Sequence, residues 1–172
     1  MALIACGECG GEVSLRADSC PHCHCAAEVM IFGAEGFVDV AVRKILNKPR
    51  GELSAEDYEK VTDLYLDDSR ISDACLAGLG KLPRLAKLHL GVTGITDKGL
   101  QQVTRLRRLT SLNLSGTQTS DAGLKELGRW WRWFWRRRLE RLFLFNTRVT
   151  KSGVERLRRA LPNCTIEHNS NK

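Results

Sequence analysis

Residues 87–110 read KLHLGVTGITDKGLQQVTRLRRLT, and the leucine pattern of this stretch decides the fold. Its Leu-x-Leu frame at 88–90 returns at 64–66, 112–114 and 142–144, and the first three copies are 24 residues apart. A fixed period of this length predicts a stack of equivalent units, because one such unit cannot bury its apolar face alone.

Each copy continues in the same way after its second leucine. A small polar residue follows three positions later, at Ser69, Thr93, Thr117 and Thr147. Two residues further comes a position that is usually branched and apolar, occupied by Ile71, Ile95, Thr119 and Val149. The small polar side chains are expected to satisfy backbone groups in the turn that leaves each strand.

This pattern resembles the leucine-rich repeat of the bacterial and ribonuclease-inhibitor kinds over roughly residues 62–167. The resemblance implies an α/β solenoid over residues 64–172, with a parallel sheet, convex helices and about four repeats. It also implies that the chain recognises another macromolecule and performs no chemistry. The sequence agrees, since no nucleophile-base pair, phosphate-binding loop or carboxylate dyad stands at a meaningful spacing.

The strands place alternate side chains on opposite faces, so the leucines point inward and their neighbours line a concave surface. We expect a protein partner to bind there. The strand residues predicted to contact it are Tyr65, Asp67, Lys87, His89, Ser111, Asn113, Arg141, Phe143 and Phe145.

The convex half of each repeat begins with a Ser/Thr-Asp step: Ser72-Asp73, Thr96-Asp97 and Ser120-Asp121. The hydroxyl residues are good helix caps, and the aspartates are expected to lie at the positive ends of the helix dipoles. The leucine-spaced runs that follow should pack against the sheet. Cys75 falls where the other copies have Gly99, Gly123 and Gly153, and a buried cysteine packs as a small apolar residue.

Residues 1–25 carry two Cys-x-x-Cys pairs, Cys6 with Cys9 and Cys20 with Cys23. Two such turns supply four thiolates for a closed, tetrahedral, structural zinc site, whose metal would supply the folding energy of so short a segment. The stretch Gly10–Leu15 is expected to form a hairpin between them. The segment resembles a bacterial N-terminal zinc ribbon, although His24 replaces the usual glycine. His22, His24 or Cys25 remain alternative ligands.

Between the two domains, residues 26–36 are predicted to form a linker and residues 37–63 a helical cap like those that precede bacterial leucine-rich repeats. The first cap helix should span Phe37–Leu46 and bury Val40, Ala41, Ile45 and Leu46. The second should start after Ser54 and run to about Thr62.

The third repeat is six residues too long, and the surplus falls in WWRWFWRRR at residues 130–138. These residues predict an extended helix with an aromatic side. The rings either pack on the flank of the solenoid or dock a partner, with Trp131, Trp133 and Trp135 as contacts. Lipid headgroups and stacked bases are further alternatives. Exposed tryptophans would also favour self-association.

The net charge of +7 comes entirely from the last third, where residues 121–172 carry 13 Lys/Arg against 5 Asp/Glu. The alternative function is therefore nucleic-acid binding, helped by the zinc ribbon. The arginines that would serve it are Arg108, Arg132, Arg136, Arg137, Arg158 and Arg159. Those expected at helix ends, such as Arg108, Arg158 and Arg159, alternatively match the helix dipoles. A substrate-recognition arm of a larger complex is a third class, by family analogy alone.

The start MALIACGECGG lacks a basic region and carries two cysteines, unlike a secretory signal. We therefore expect a cytoplasmic protein with reduced thiols, which the odd count of seven cysteines also favours. No apolar run approaches the ~18 residues of a membrane span.

Overall fold

The computed structural model describes residues 3–5, 12–14, 21–22, 27–48, 51–67, 71–133 and 139–169, with side chains described at 21–22 and from residue 36 onward except 130–133. Strands β1 (Leu3–Ala5) and β2 (Glu12–Ser14) form an antiparallel hairpin. Helices α1 (Ala27–Leu46) and α2 (Ala55–Glu59) follow. The remaining elements are β3 (Asp63–Tyr65), two 3-10 segments (Asp73–Leu76 and Leu79–Lys81), β4 (Lys87–His89), α3 (Asp97–Val103), β5 (Ser111–Asn113), α4 (Asp121–Trp133), β6 (Arg141–Leu144), α5 (Lys151–Ala160) and β7 (Thr165–His168).

Strands β3 to β7 form one parallel sheet in chain order. The register places the first leucine of each frame opposite its equivalent, and it continues to Ile166 in the last strand: Leu64, Leu88, Leu112, Leu142 and Ile166. All five are buried, and so are Leu66, Leu90, Leu114 and Leu144. The predicted solenoid is therefore confirmed, because the leucines form one continuous apolar spine.

The convex side of the first repeat is less regular than predicted. Its apolar residues Leu76, Leu79 and Leu82 are buried as expected, but they lie in and after two 3-10 segments and not in an α-helix. Gly78 separates these segments with a φ of 87°. A left-handed residue cannot continue a right-handed helix, so the chain turns there.

Each aspartate of the Ser/Thr-Asp steps binds the next repeat. The Asp97 carboxylate accepts the Ser120 backbone N–H at 2.8 Å and the Ser120 hydroxyl at 2.6 Å. Asp73 makes the same pair of bonds to Thr96, and Asp121 makes them to Thr150. The aspartates lie in first turns as predicted. Their further role is to join neighbouring repeats.

This inter-repeat contact explains the glycine column. A Cβ on Gly99, Gly123 or Gly153 would overlap the carboxylate of the preceding repeat. Cys75 occupies the same column in the first repeat, and no earlier repeat precedes it to supply such a carboxylate. Its buried side chain instead has its sulfur 3.8 Å from the Ser72 hydroxyl oxygen. The packing role predicted for Cys75 is confirmed.

The turns after β4, β5 and β6 also match the prediction. The hydroxyls of Thr93, Thr117 and Thr147 donate to the carbonyl three residues back, at 2.7–3.0 Å. The residue before each threonine has a positive φ: 54° at Val92, 72° at Gly116 and 53° at Asn146. Glycine and asparagine adopt this conformation readily, whereas a β-branched residue is strained there.

Helix α1 differs from the sequence prediction in its start and its buried face. It begins at Ala27, so the residues read as a linker are helical from there on. Glycines at 33 and 36 lower helix propensity by only about 1 kcal/mol each, which the surrounding helix tolerates. Val38 and Val42 are fully buried, one turn apart, while Ile45 is 47% exposed. The predicted inward position of Ile45 is wrong.

The second cap helix is shorter than predicted but starts as expected. Ser54 caps α2 in a reciprocal pair with Asp57, and the helix ends at Glu59. Asp57 also accepts a 2.6 Å hydrogen bond from the Lys48 ammonium, which holds the pKa of this carboxyl below its ordinary value. The cap is thereby fastened to the end of α1.

The extra residues of the third repeat lengthen its helix. Helix α4 has 13 residues against 7 in α3, as the aromatic pattern predicts. The side chains of 130–133 and all of residues 134–138 lie outside the described part, and the chain is described again from the buried Leu139. Among the described helices, none has the length and apolar character to cross a bilayer.

Candidate binding face

The concave face consists of the sheet side chains opposite the leucine spine. The register arranges them in rows across the strands. One row is Asp63, Lys87, Ser111, Arg141 and Thr165, and the next is Tyr65, His89, Asn113, Phe143 and Glu167. A third row continues the same alternation just past the strands, at Asp67, Gly91, Ser115, Phe145 and Asn169.

The first two strands carry a stacked ring pair and an ion pair. The rings of Tyr65 and His89 are stacked with centroids 4.5 Å apart, and Tyr65 is still 62% exposed. Beside them, the Lys87 ammonium lies 2.8 Å from the Asp63 carboxylate. This hydrogen bond lowers the pKa of Asp63 and raises that of Lys87. The charges of this end are therefore paired within the face.

Asp67 has a structural role that its sequence position did not reveal. Its carboxylate accepts the Gly91 backbone N–H at 2.5 Å across two neighbouring strands. A Cβ on residue 91 would lie only 2.9 Å from that oxygen, so glycine is required for this approach. Asp67 is exposed on the face as predicted.

The third strand contributes only short side chains. Ser111 was predicted to contact a partner, but it is only 4% exposed and so offers little surface for contact. It lies in register between Lys87 and Arg141, whose long side chains flank it. Asn113 is half-buried, and its Oδ1 accepts the Ser115 backbone N–H at 3.0 Å.

The fourth strand presents a cation and two rings. Arg141 is exposed, Phe143 is half-buried and Phe145 is 37% exposed. Among the described residues, no carboxylate lies within 4.0 Å of the Arg141 guanidinium. This contrasts with Lys87, two strands away, which is paired.

The last strand extends the face beyond the sequence prediction. Ile166 was placed in the spine, but its outward neighbours Thr165 and Glu167 were not identified as part of the face. Asn169 follows them and exchanges side-chain and backbone hydrogen bonds with Asn146 at 2.7 and 2.8 Å. The alternation around Ile166 was the sequence signal that could have found them.

One of the arginines proposed for nucleic-acid binding has a partner within the protein. The Arg158 guanidinium donates to the Ile166 carbonyl at 3.1 Å. Arg108 and Arg159 are exposed. The side chain of Arg132, and Arg136 and Arg137 entirely, lie outside the described residues.

A second concavity lies on the convex side, between α4 and α5. It has a volume of about 670 Å³, a floor that includes Gly128 and Leu157, and a rim that includes Lys125, Arg129 and Arg156. Helix α4 continues from this groove into the tryptophan-rich segment. The contact residues predicted there, Trp131, Trp133 and Trp135, have no described side chains.

The four predicted zinc ligands, Cys6, Cys9, Cys20 and Cys23, also lie outside the described residues. The sequence predicted a hairpin within Gly10–Leu15. The structure instead describes a hairpin whose strands, residues 3–5 and 12–14, lie on either side of the first cysteine pair in the sequence. In the described part of the chain, no group of three metal-ligating side chains comes together. Cys164 is half-buried, and burial raises the pKa of its thiol to about 11.

The solved structures similar to this chain include an internalin and an actin-binding site of a leiomodin. An internalin from Listeria monocytogenes aligns with 80% of the chain at 18% identity and a TM-score of 0.55, and the match spans 37% of the internalin. A structure described as leiomodin-1 actin-binding site 2 aligns with 78% at 12% identity and a TM-score of 0.53, covering 80% of that chain. No family model and no curated protein sequence matches. At these identities the likeness shows the fold, a leucine-rich-repeat solenoid.

Proposed function

We propose that this protein is a non-enzymatic recognition module that holds a protein partner on its concave face. The observation that carries the proposal is the composition of this face: exposed rings at Tyr65 and Phe145 lie on it with the cation Arg141, for which the described residues supply no carboxylate partner. Rings and arginine are the side chains most often found at binding hot spots. The backbone beneath them is held by the sheet, so binding requires little ordering of the protein.

Affinity capture from the native host tests the proposal, with the intact chain compared with Tyr65→Ala. Ile45→Ala is the matched control, because Ile45 is also an exposed apolar side chain but lies on the cap helix. A concave-face partner should be lost with Tyr65→Ala and retained with Ile45→Ala. Equal recovery with both variants would refute the concave face as the binding surface.

We further propose that residues 1–25 hold one structural zinc ion through Cys6, Cys9, Cys20 and Cys23. The donor set supports this, since four thiolates in two Cys-x-x-Cys turns suit tetrahedral zinc. The β1–β2 hairpin adds support, because it pairs Ala5 with Glu12 and so encloses the first turn in its connection. This site would clip the segment together or serve as a second docking unit.

Metal analysis of the intact purified chain should give one zinc per chain, and Cys9→Ser should lower this content, while Cys164→Ser should not. Zinc content that is unchanged in Cys9→Ser would refute the assignment. Reduced thiolates are required for such a site, so we place the protein in the cytoplasm.

Nucleic-acid binding is the competing function. It predicts affinity for a labelled duplex or single strand that falls steeply with salt, as counterions return to the phosphates. The use of Arg158 to bond the Ile166 carbonyl removes one of its proposed contacts. Absence of binding at low salt would exclude it.

A further inference from the structure

The concave face contains a trough along β5. Its floor is made by Ser111, Asn113 and Ser115, all with short side chains. His89 on β4 and Phe143 on β6 flank Asn113 in register. Because neighbouring strands lie about 4.8 Å apart, these two flanking positions are separated by about 9.6 Å. Rings interact at centroid distances of about 4.5–7 Å, so one flat side chain of a partner can lie over the shorter Asn113 side chain, between the rings of His89 and Phe143.

One wall of the trough is held in place from behind. The His89 ring stacks on Tyr65, with the planes inclined at only 26°. Phe143 on the opposite side is half-buried, which limits its rotation. Both walls therefore keep their positions before anything binds, which lowers the entropic cost of binding.

The floor offers hydrogen-bond donors that the protein does not use. An asparagine side chain has an acceptor oxygen and an amino group with two donors. Asn113 uses its oxygen to accept the Ser115 backbone N–H, so its amino group turns toward the open surface above Gly91. No described residue accepts a hydrogen bond from this amino group.

The charge at one end of the trough favours an anion. Lys87 and Arg141 flank Ser111 there, and Lys87 is neutralised by Asp63. Arg141 is left without a carboxylate partner among the described residues, although Glu167 lies on the adjacent strand. One positive charge with no carboxylate partner among the described residues is suited to a carboxylate of the partner.

We propose that the trough binds an extended segment of the protein partner with an acidic residue and an aromatic residue two positions apart. The carboxylate would pair with Arg141, and the ring would lie over Asn113 between His89 and Phe143. The Asn113 amino group, on the Gly91 side, would donate to a backbone carbonyl of the segment. The spacing follows from the sheet, since Arg141 and Phe143 are two residues apart on one strand, about 6.8 Å. An extended segment has the same distance between residues i and i+2 on one face. This inference rests on the proposed function.

Isotope-edited NMR of the full chain tests the motif with synthetic peptides. The probe is an acetylated nine-residue peptide with Glu-Ser-Trp at the centre of a Gly/Ser background. Three comparison peptides carry Gln-Ser-Trp, Glu-Trp-Ser or Glu-Ser-Ala. Saturable shifts are expected at the Asn113 side-chain amide and the Arg141 Nε–H, both directly observable. The peptides with Gln-Ser-Trp, Glu-Trp-Ser or Glu-Ser-Ala should each bind about three- to tenfold more weakly than the probe.

Variants separate the proposed contacts. Arg141→Gln should lower the affinity for the Glu-Ser-Trp peptide about three- to tenfold and remove the preference for Glu over Gln. Phe143→Leu keeps an apolar side chain at this half-buried position and should remove the preference for Trp. Arg159→Gln is the matched control, an exposed arginine outside the concave face, and should bind like the unaltered chain.

The proposal is overturned if the four peptides bind alike, or if none binds at millimolar concentration. It is also overturned if an eight-residue oligothymidylate shifts these signals and the peptides do not. If Tyr65→Ala still abolishes capture of the host partner but the peptides show no selectivity, the concave face binds the protein through other contacts. In that case only this inference fails. When both are absent, the proposed function fails as well.

Discussion

Gly123→Ala tests whether the aspartate contacts between repeats hold the solenoid together. In α4, a methyl group on residue 123 would overlap the Asp97 carboxylate and lie 2.7 Å from Leu100 Cδ1. Leucine can rotate away, but the carboxylate is held by its two hydrogen bonds to Ser120. The substitution should therefore displace Asp97 and break both bonds.

The expected cost follows from three contributions. Each hydrogen bond to a charged group contributes roughly 1.5–3 kcal/mol, and the partial exposure of Asp97 favours the lower value, so losing both costs about 3 kcal/mol. Alanine in place of glycine inside a helix returns about 1 kcal/mol. Gly123→Ala should therefore lower the free energy of unfolding by about 2 kcal/mol, although alanine is the better helix former.

A double-mutant cycle with Asp97→Ala isolates the contact. Asp97→Ala alone should cost about 3 kcal/mol. With the carboxylate absent, Gly123→Ala has only Leu100 to displace, so the double variant should be no less stable than Asp97→Ala. Guanidinium unfolding measures the free energies, and hydrogen exchange at the Ser120 amide reports the broken bond even where the repeats do not unfold together.

Gly80→Ala is the matched control, because a Cβ there meets only Arg105 Cδ at 3.9 Å. Its stability should change by less than about 0.5 kcal/mol. The reasoning is refuted if Gly123→Ala is as stable as the unaltered chain, or if the two single effects add in the double variant.

Two further substitutions and one pH titration test other parts of the fold. Val92→Asn should raise the melting temperature and stabilise by about 1 kcal/mol, because asparagine tolerates the φ of 54° better than valine. The Lys48 hydrogen bond lowers the pKa of Asp57 in the folded state. The stabilisation linked to this shift should be complete above the unfolded-state pKa near 3.8 and should be lost as the pH falls below it. Arg158→Met should speed hydrogen exchange in β7 and cost about 1 kcal/mol, because the Ile166 carbonyl loses its donor.

Each of these has its own control. A melting temperature that falls in Val92→Asn would show that the valine is not strained. Asp57→Asn should lose the acid-side change, and an unaltered pH profile would contradict the assignment. Arg159→Met removes a neighbouring exposed arginine and should leave exchange in β7 unchanged, so equal effects of the two arginine variants would count against the edge contact.

The leucine period alone predicted the sheet and its register. Parallel strands repeat the same pairing, so residues 24 apart must meet, as Leu64 and Leu88 do. The Ser/Thr column and most helix caps were also predictable, because their bonds are local. Thr93 bonds a carbonyl three residues back, and Ser54 caps the helix that starts beside it. The predicted cap Ser72 makes no side-chain cap bond.

Contacts between side chains of different elements were not predictable from the period. The sequence predicted that Asp97 interacts with the dipole of its own helix. It did not predict the hydrogen bonds of Asp97 to Ser120, 23 residues away. Ser111 alternates outward like its neighbours, yet it is buried, because exposure depends on the sizes of flanking side chains. Helix α1 packs Ala41 and Leu46 against the core as predicted, but it buries Val38 and Val42 most deeply and leaves Ile45 exposed, since its orientation depends on the solenoid against which it packs.

The sequence by itself determined that the leucines stack in one apolar spine and which residues point to the opposite face, since both follow from the periodicity. Tertiary structure decided which of those outward residues remain available. It paired Lys87 with Asp63 and left Arg141 unpaired among the described residues. It also turned the Asn113 amino group to the surface. These pairings and orientations depend on distances of a few ångströms between side chains of neighbouring strands. The spacing of residues along the sequence does not specify those distances.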